Sequence, residues 1–334
     1  MYDTTHFPFT AIVGQEEMKL ALVLTAIDRK IGGVLIMGHR GTAKSTAARA
    51  LAALLPPNKT DDLFAEIQIG ERRERVRLQF GEKHHYAPIV DLPLNAGEDR
   101  VLGTLDIELV LNEGKKAFEP GLLALAHGGF LYIDEVNLLE DHLVDILLDV
   151  AVSGINIVER EGMSIRHPAD FVLVGSGNPE EGDLRPQLLD RFGLYTQVDT
   201  IRDIRQRTEI ILRTEAFKNN PEAFVESWKS QENELRNRIV KAQSLVQQVD
   251  ISERLIAKTI ELCLMLKIDG HRGDIVMIRS SKALAAMEER TEVQVNDIKR
   301  VASMCLRHRL RKDPLQEIDS SERIQEALEQ LFVG

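Results

Sequence analysis

Short apolar runs alternate with helix-like patterns over the first 200 residues of the chain. Gly33–Met37, Phe130–Ile133 and Phe171–Gly175 are apolar at consecutive positions, so both faces of each run are apolar. Strands of this kind occur in parallel sheets that helices cover on both sides. The alternation with helical patterns is typical of βαβ units. We therefore expect an α/β domain built on a parallel sheet.

A helix is predicted between the second and third of these runs. Its apolar and acidic residues recur at helical spacing on opposite sides. The apolar set is Leu139, Leu143, Ile146, Leu147 and Val150, and the acidic set is Asp141, Asp145 and Asp149. We expect the acidic side to face solvent.

The pattern changes near residue 200. From Ile201 onward glycines are few, charged stretches are long, and leucines follow the helical period, with one break at Asn219-Asn220-Pro221. The length of 334 residues also exceeds the roughly 100–200 residues of one domain. We therefore predict an α/β domain over residues 1–200 and a helical domain over residues 201–334.

Composition narrows the class of protein. Hydrophobic residues make up 43% and charged residues 28%, as in globular proteins, and the formal net charge is −11. An acidic total argues against nucleic acid as the main partner. No apolar stretch approaches the roughly 18 residues of a membrane helix, and Met1–Thr10 lacks the features of a secretory signal. Two cysteines form no disulfide framework, so a reducing, cytoplasmic location is expected.

A phosphate-binding loop follows the first strand. The pattern of Gly, four residues, Gly, Lys and Ser/Thr between a strand and a helix surrounds phosphates with backbone N–H groups. In this pattern Lys44 would reach the β- and γ-phosphates, and Ser45 would bind Mg²⁺. The candidate nucleotide-binding residues are Gly38, His39, Arg40, Gly41, Thr42, Ala43, Lys44, Ser45 and Thr46.

Ala43 departs from this pattern, which has glycine at that position. Alanine prefers negative φ. The substitution is harmless if Ala43 is helical and damaging if its φ is positive.

Two adjacent acids end the second strand. Asp134 suits the Mg²⁺ shell beside Ser45, and Glu135 suits the orientation of a water that attacks the γ-phosphate. Because side chains alternate along a strand, the two acids should point to different places.

Asn178 ends the third strand, where it is either a turn residue or a ligand of the attacking water or the γ-phosphate. Arg191 follows in the run Leu184–Gly193. A transition-state arginine contributes roughly 10³–10⁵ in rate. If a neighbouring subunit supplies Arg191, assembly completes the active site.

Long stretches of the chain resemble the ATPase (I) subunit of magnesium chelatase. They are Phe7–Ala21, Asp91–Asp106, Ala117–His127, Tyr132–Asp145, Val158–Gly162 and Gly175–Glu181. The resemblance implies an AAA+ module: a five-stranded parallel sheet with a helical lid, assembled as a hexameric ring. It also implies a helix insert over Gly103–Glu119 and a β-hairpin over Ile155–His167.

The resemblance also assigns roles. Lys44 and Ser45 would belong to Walker A, Asp134 and Glu135 to Walker B, and Asn178 would be sensor 1. Arg191 resembles the arginine finger, Arg272 the sensor 2 arginine, and Arg185 a contact across the subunit seam. The implied cofactors are ATP and Mg²⁺, and the catalytic set is Lys44, Glu135, Asn178, Arg191 and Arg272.

In this family the subunit works with D-type and H-type subunits, and ATP hydrolysis drives Mg²⁺ insertion into protoporphyrin IX for (bacterio)chlorophyll biosynthesis. Three alternatives stay open. One is a cobalt-chelatase-type motor, and another is a MoxR-like remodelling chaperone without a tetrapyrrole role. The third is a scaffold that does not hydrolyse ATP, which the alanine at position 43 motivates.

Some features carry plainer interpretations. The basic runs Glu71–Arg77 and Arg307–Lys312 are predicted as solvated faces, and His84-His85 as a loop rather than a metal site. Cys263 and Cys305 are predicted as buried packing residues. The segment Pro57–Ala87 does not follow the family pattern.

Overall fold

The computed structural model describes residues 5–56, 63–78, 89–106, 117–160, 162–182, 184–310 and 320–332. Its strands are β1 Val34–Gly38, β2 Phe64–Ile69, β3 Arg72–Arg77, β4 Ile89–Leu92, β5 Gly103–Asp106, β6 Ala117–Pro120, β7 Phe130–Ile133, β8 Ile155–Arg160, β9 Met163–Pro168, β10 Val172–Gly177 and β11 Leu194–Val198. Its helices are α1 Glu16–Ile27, α2 Lys44–Leu54, α3 Glu98–Leu102, α4 Leu122–Leu125, α5 Asp141–Ser153, α6 Pro186–Arg191, α7 Ile204–Asn219, α8 Pro221–Leu245, α9 Glu253–Met265, α10 Arg272–Met287, α11 Val295–Leu306 and α12 Ser320–Phe332.

Five parallel strands form the main sheet, in the order β11-β1-β10-β7-β4. The three predicted apolar runs are β1, β7 and β10, with bounds that differ by at most two residues. Every residue of these three strands is buried, as both faces of a covered sheet require. The prediction of an α/β fold on a parallel sheet is confirmed.

A second, antiparallel sheet has the order β3-β2-β9-β8. The predicted hairpin is β8 and β9, which pair from Ile155 and Pro168 to Arg160 and Met163. The other hairpin, β2 and β3, lies in the segment that did not follow the family pattern, and it joins the first through β2 and β9. His84 and His85 lie outside the described residues.

Strands β5 and β6 form a two-stranded antiparallel pair between α3 and α4. The pair corresponds to the two ends of the insert predicted over Gly103–Glu119, and residues 107–116 of that insert lie outside the described part of the chain.

The described secondary structure beyond residue 200 consists of helices and short 3₁₀ turns. The break predicted at Asn219-Asn220-Pro221 separates α7 from α8, where the Asn220 side chain accepts a hydrogen bond from the N–H of Ala223 at 3.0 Å. The apolar core is continuous from the sheet into these helices: Leu22 and Ile36 share one cluster with Ile239. None of the described helices is long and apolar enough to cross a membrane.

Candidate functional site

A cleft of about 810 Å³ opens at the carboxyl edge of the parallel sheet. The loop between β1 and α2 forms one side, and the ends of β7 and β10 lie next to it. The predicted residues that line the cleft are Arg40, Gly41, Thr42, Ala43, Lys44, Ser45, Thr46, Asp134, Glu135 and Asn178. Three runs far apart in sequence therefore meet at one place.

The loop after β1 is held by its own lysine. The Lys44 ammonium donates hydrogen bonds to the carbonyl oxygens of Gly38 and His39, the latter at 2.9 Å. Burial lowers the pKa of Lys44 from its ordinary value, while the nearby carboxylates of Asp134 and Glu181 oppose that shift. Gly38 has to be glycine, because an added Cβ would lie 2.3 Å from the carbonyl oxygen of Val198 on β11.

Ala43 has φ of 66° and ψ of 20°, which is the left-handed conformation. The second branch of the prediction therefore applies, and alanine is strained at this position by about 1–2 kcal/mol. Gln15 and Glu135 also have positive φ and also line the cleft. Three of the five described non-glycine residues with positive φ therefore line this cleft, and strained backbone of this kind is typical of functional sites.

Asp134 and Glu135 contact different partners, as predicted. Asp134 Oδ1 accepts hydrogen bonds from the Ser176 hydroxyl at 2.5 Å and from the Tyr132 hydroxyl at 3.1 Å. Burial raises the pKa of Tyr132, so this hydroxyl stays protonated and acts as a donor. None of the described residues donates to Asp134 Oδ2, and Asp134 lines the cleft.

Glu135 lies beside the loop arginine. Arg40 Nη2 is 2.9 Å from Glu135 Oε1 and 2.6 Å from Glu181 Oε1. The two carboxylates, Glu181 more than Glu135, raise the pKa of Arg40 above its ordinary value. Arg40 thus bridges two acids that follow two different strands.

Asn178 is 5% exposed and begins a 3₁₀ turn over Pro179–Glu181. Its side-chain oxygen accepts a hydrogen bond from the N–H of Glu180 at 3.2 Å, which leaves its amide directed toward Glu180 Oε2 at 3.4 Å. The residue is both a turn cap and a member of the cleft, so the two predicted interpretations are not exclusive.

Part of the cleft is lined by apolar side chains together with Arg207 and Arg213, and the candidate residues from sequence did not include it. Ile12 and Val13 line it from the segment before α1, and Ile210, Thr214 and Phe217 line it from α7. A flat apolar base fits such a surface. The signal available in the sequence was the apolar run Phe9–Val13 ahead of α1.

Arg191 lies at the opposite edge of the sheet. Strands β1 and β11 are parallel with Val34 beside Leu194, and Arg191 precedes β11, so it lies at the amino edge. Four residue steps of about 3.3 Å put that edge roughly 13 Å from the loop after Gly38. Arg191 does not line the cleft of its own chain.

The acidic side of α5 holds two arginines. Arg191 pairs with Asp145 at 3.2 Å and with Asp149 at 3.1 Å, and Arg185 pairs with Asp141. The prediction that this side faces solvent is therefore wrong for the half-buried Asp141 and Asp145, because α6 brings its arginines against it.

Arg272 and Arg309 reach the same region from the helical part. Arg272 Nη1 is 3.2 Å from Asp190 Oδ2, and Arg309 donates to Asp190 Oδ1 at 3.1 Å and to the carbonyl of Phe192 at 2.7 Å. The prediction of a solvated face is wrong for Arg309 and Arg307, whose side chains are 1% and 16% exposed. Arg272 lies on this side of the molecule and does not line the cleft of its own chain.

Two family models match the chain. The model described as "Magnesium chelatase, subunit ChlI" matches residues 8–186, and the model described as "AAA lid domain" matches residues 256–328. The chloroplastic magnesium-chelatase subunit ChlI of Chlamydomonas reinhardtii is 56% identical over 98% of this chain and 81% of its own length. The magnesium-chelatase 38 kDa subunit of Chlorobaculum parvum is 54% identical over 96% of each protein.

Solved structures are similar as well. A cryo-EM-based structure of a complex between subunits BchI and BchD of magnesium chelatase contains a chain with a TM-score of 0.51 and 48% identity, covering 97% of this chain and 99% of that chain. A crystal structure from Cytophaga hutchinsonii has a TM-score of 0.64 at 21% identity over 96% and 91% of the two chains, a likeness of fold.

The parallel sheet, the phosphate-type loop and the C-terminal lid define an AAA+ protein. The resemblance found in the sequence is confirmed. The chain belongs to the magnesium chelatase ChlI family.

Proposed function

We propose that this protein is the ATP-hydrolysing motor subunit of a magnesium chelatase. The observation that supports it most is the convergence of Lys44, Asp134, Glu135 and Asn178 on one cleft, from three stretches of a chain in the ChlI family. The apolar part of this cleft suits the base of ATP and the polar part suits its phosphates.

The roles of the cleft residues follow from their positions. The backbone N–H groups of the loop from His39 to Ser45 bind the phosphates, aided by the positive end of α2. Lys44 leaves its carbonyl partners for the β- and γ-phosphates. Glu135 orients the attacking water and accepts its proton, and Asn178 holds the γ-phosphate end in place.

Mg²⁺ fits the oxygens that this chain offers. Ser45 supplies a hydroxyl and Asp134 a carboxylate whose Oδ2 accepts none of the described hydrogen bonds, and Mg²⁺ prefers oxygen ligands of this type. When bound, the ion neutralises charge on the β- and γ-phosphate oxygens.

Arg191, Arg272 and Arg185 act on the cleft of a neighbouring protomer. The place of Arg191 and Arg272 at the amino edge of the sheet supports this assignment for these two, since the cleft of the same chain lies at the carboxyl edge. Arg185 pairs with Asp141 at the start of α5, and its assignment rests on the family resemblance alone. A closed ring lets every protomer give an arginine and receive one, and a hexamer is the expected ring.

The partners are a D-type subunit and a porphyrin-binding H-type subunit, and the coupled reaction is Mg²⁺ insertion into protoporphyrin IX in (bacterio)chlorophyll biosynthesis. Support comes from the relatives, which are named as magnesium-chelatase subunits, and from the BchI–BchD complex. Two buried, unpaired cysteines are compatible with the cytoplasm.

The first experiment measures ATP turnover by the purified full-length chain. The wild type should hydrolyse ATP, whereas Glu135→Gln should bind nucleotide and lose roughly 10²–10⁴ in rate, as expected for loss of a general base. Equal turnover by both proteins would contradict the role of Glu135. No turnover by the wild type, alone or with its partner subunits, would favour the scaffold.

The second experiment tests the coupled reaction. The chain is combined with D-type and H-type subunits, ATP and protoporphyrin IX, and metalloporphyrin fluorescence is followed with Mg²⁺ or Co²⁺. We expect the magnesium product to form only when ATP and all three subunits are present. A cobalt product alone, or none, would overturn the magnesium assignment while leaving the ATPase result standing.

A further inference from the structure

Two consecutive acids after β10 contact two consecutive residues of the phosphate-type loop. Glu180 Oε1 is 3.5 Å from His39 Nδ1, and Glu181 Oε1 is 2.6 Å from Arg40 Nη2. The 3₁₀ turn that Asn178 begins positions both acids. Neither acid is assigned a role from the sequence, although both lie in the run Gly175–Glu181 that resembles the family and both touch the loop.

Glu181 is held at the loop in an unusual way. Its side chain is 20% exposed, and while Oε1 faces Arg40, Oε2 is buried and has no hydrogen-bond partner among the described residues. Its backbone carbonyl accepts a hydrogen bond from the Asn137 amide at 3.2 Å, so the residue is anchored from behind. A buried carboxylate oxygen without a hydrogen-bond partner is normally unfavourable. The ion pair with Arg40 stabilises the Glu181 carboxylate in this position.

Arg40 has room to turn once its two ion pairs break, since its side chain is 74% exposed. The guanidinium group binds carboxylates and phosphates with the same geometry. An anion that enters the loop therefore competes directly with Glu181 for the same donor.

We propose that Glu181 acts as an internal substitute for phosphate: it occupies Arg40 until the nucleotide's phosphates displace it, and it thereby weakens nucleotide binding. The proposal rests on the function proposed above. It assigns to Glu181 a regulatory role at the nucleotide site, and to Arg40 a choice between two anions.

The same displacement affects Glu135. Arg40 Nη2 contacts both Glu135 and Glu181, so turning this one nitrogen toward phosphate releases both carboxylates. Glu135 is then available to a water molecule only when a triphosphate is in place. Nucleotide binding and the freeing of the general base become one event.

The test measures the Kd of a fluorescent, non-hydrolysable ATP analogue with Mg²⁺ for the full chain. Glu181→Gln should lower the Kd roughly tenfold, because the competing charge-assisted contact is lost. Arg40→Ala should raise the Kd by a similar factor. In the Arg40→Ala background, Glu181→Gln should tighten binding clearly less than in the wild type, because the contact through which the two residues compete is gone and only the effect of Glu181 on Lys44 remains.

Glu180→Gln is the matched control, because it removes the same charge one residue away. It should change the Kd less than about twofold, which separates direct competition from a general effect of acidic charge. If Arg40→Ala reduces the helical circular dichroism signal, Arg40→Gln takes its place.

The outcomes separate the two proposals. If the wild type does not bind the analogue, the nucleotide site itself is wrong. If the wild type binds it, but Glu181→Gln does not tighten binding or tightens it equally without Arg40, the nucleotide site stands and the competition is overturned.

Discussion

The two edges of the parallel sheet differ in whether their charged and polar side chains meet in a cleft of the same chain. At the carboxyl edge, the loop after β1 and the ends of β7 and β10 bring a lysine, two acids and an asparagine into one cleft. At the amino edge, Arg191 and Arg272 form ion pairs with aspartates of their own chain and do not line its cleft. If these residues have the roles proposed above, one chain contains both halves of a phosphoryl-transfer site, and the length of a strand separates the two halves.

The largest expected effect comes from placing an intact phosphate-binding loop and an intact Arg191 on different protomers. Arg191→Ala should lower ATP turnover by roughly 10³–10⁵, and Lys44→Ala should abolish it. In an equal mixture of the two variants, about a quarter of the contacts between neighbouring protomers bring an intact loop together with an intact arginine. ATP turnover should therefore recover to about a quarter of the wild-type rate.

Turnover by mixtures is measured against each variant alone, and Arg254→Ala, an exposed arginine on α9, serves as the control. A mixture that stays as inactive as its components would show that each cleft uses an arginine of its own chain. The contrast between the two edges would then lose its functional meaning.

A smaller effect concerns the segment that carries Arg191. The ring of His308 contacts the Phe192 carbonyl at 3.0 Å and stacks on Tyr195, and burial holds the pKa of His308 well below its ordinary value. When folding lowers the pKa of a base, the free energy of unfolding is at its full value at pH values above the pKa in the unfolded chain, which is near 6.5 for histidine. As the pH falls from 6.5 toward the pKa of His308 in the folded protein, the free energy of unfolding decreases by roughly 1.4 kcal/mol per pH unit.

Urea unfolding at pH 7.5, 6.5 and 5.5 checks this. His308→Gln should show a shallower loss of unfolding free energy on acidification than the wild type. His127 and His167, whose pKa values burial also lowers, keep their share of the slope in both proteins. His142→Gln, at an exposed site on α5, is the matched control. Equal slopes for the wild type and His308→Gln would contradict the role of His308.

The smallest effect concerns strain at the carboxyl edge. Ala43→Gly should raise the free energy of unfolding by up to about 1 kcal/mol, because relief of the left-handed strain exceeds the added entropy of glycine in the unfolded chain. Ala53→Gly, at an exposed position of α2, should lower it by roughly 0.5–1 kcal/mol. Chemical denaturation of both variants gives the sign, and destabilisation by Ala43→Gly would show that the loop is unstrained.

The polar residues at the carboxyl edge of the sheet could be predicted from the sequence because the patterns that indicate them are local. The spacing around Lys44 and the apolar runs that end at Asp134 and Asn178 require only short-range pattern, and parallel strands place their ends together. The positive φ of Ala43 was beyond that pattern, which describes residue types and not dihedral angles. The pairing of β2 with β9 depends on contacts between residues 94 to 100 positions apart in the sequence.

The amino edge was harder to predict because its contacts are tertiary. The run Arg307–Lys312 has the composition of a solvated helix end, and only the docking of α11 beside Asp190 and Phe192 buries Arg309. The aspartates of α5 likewise match an exposed stripe until α6 lies across them. In both places the opposite charge comes from a remote element that periodicity does not reveal.

The shared sheet of the two hairpins constrains how this protein diversifies. A chain that lost residues 64–77 would uncover one side of β9, and a chain that lost residues 155–168 would uncover one side of β2. A bare strand of this kind invites pairing with another molecule and aggregation. The two hairpins should therefore be gained or discarded in evolution as a single piece, and a graft that transplants only one of them should yield insoluble protein.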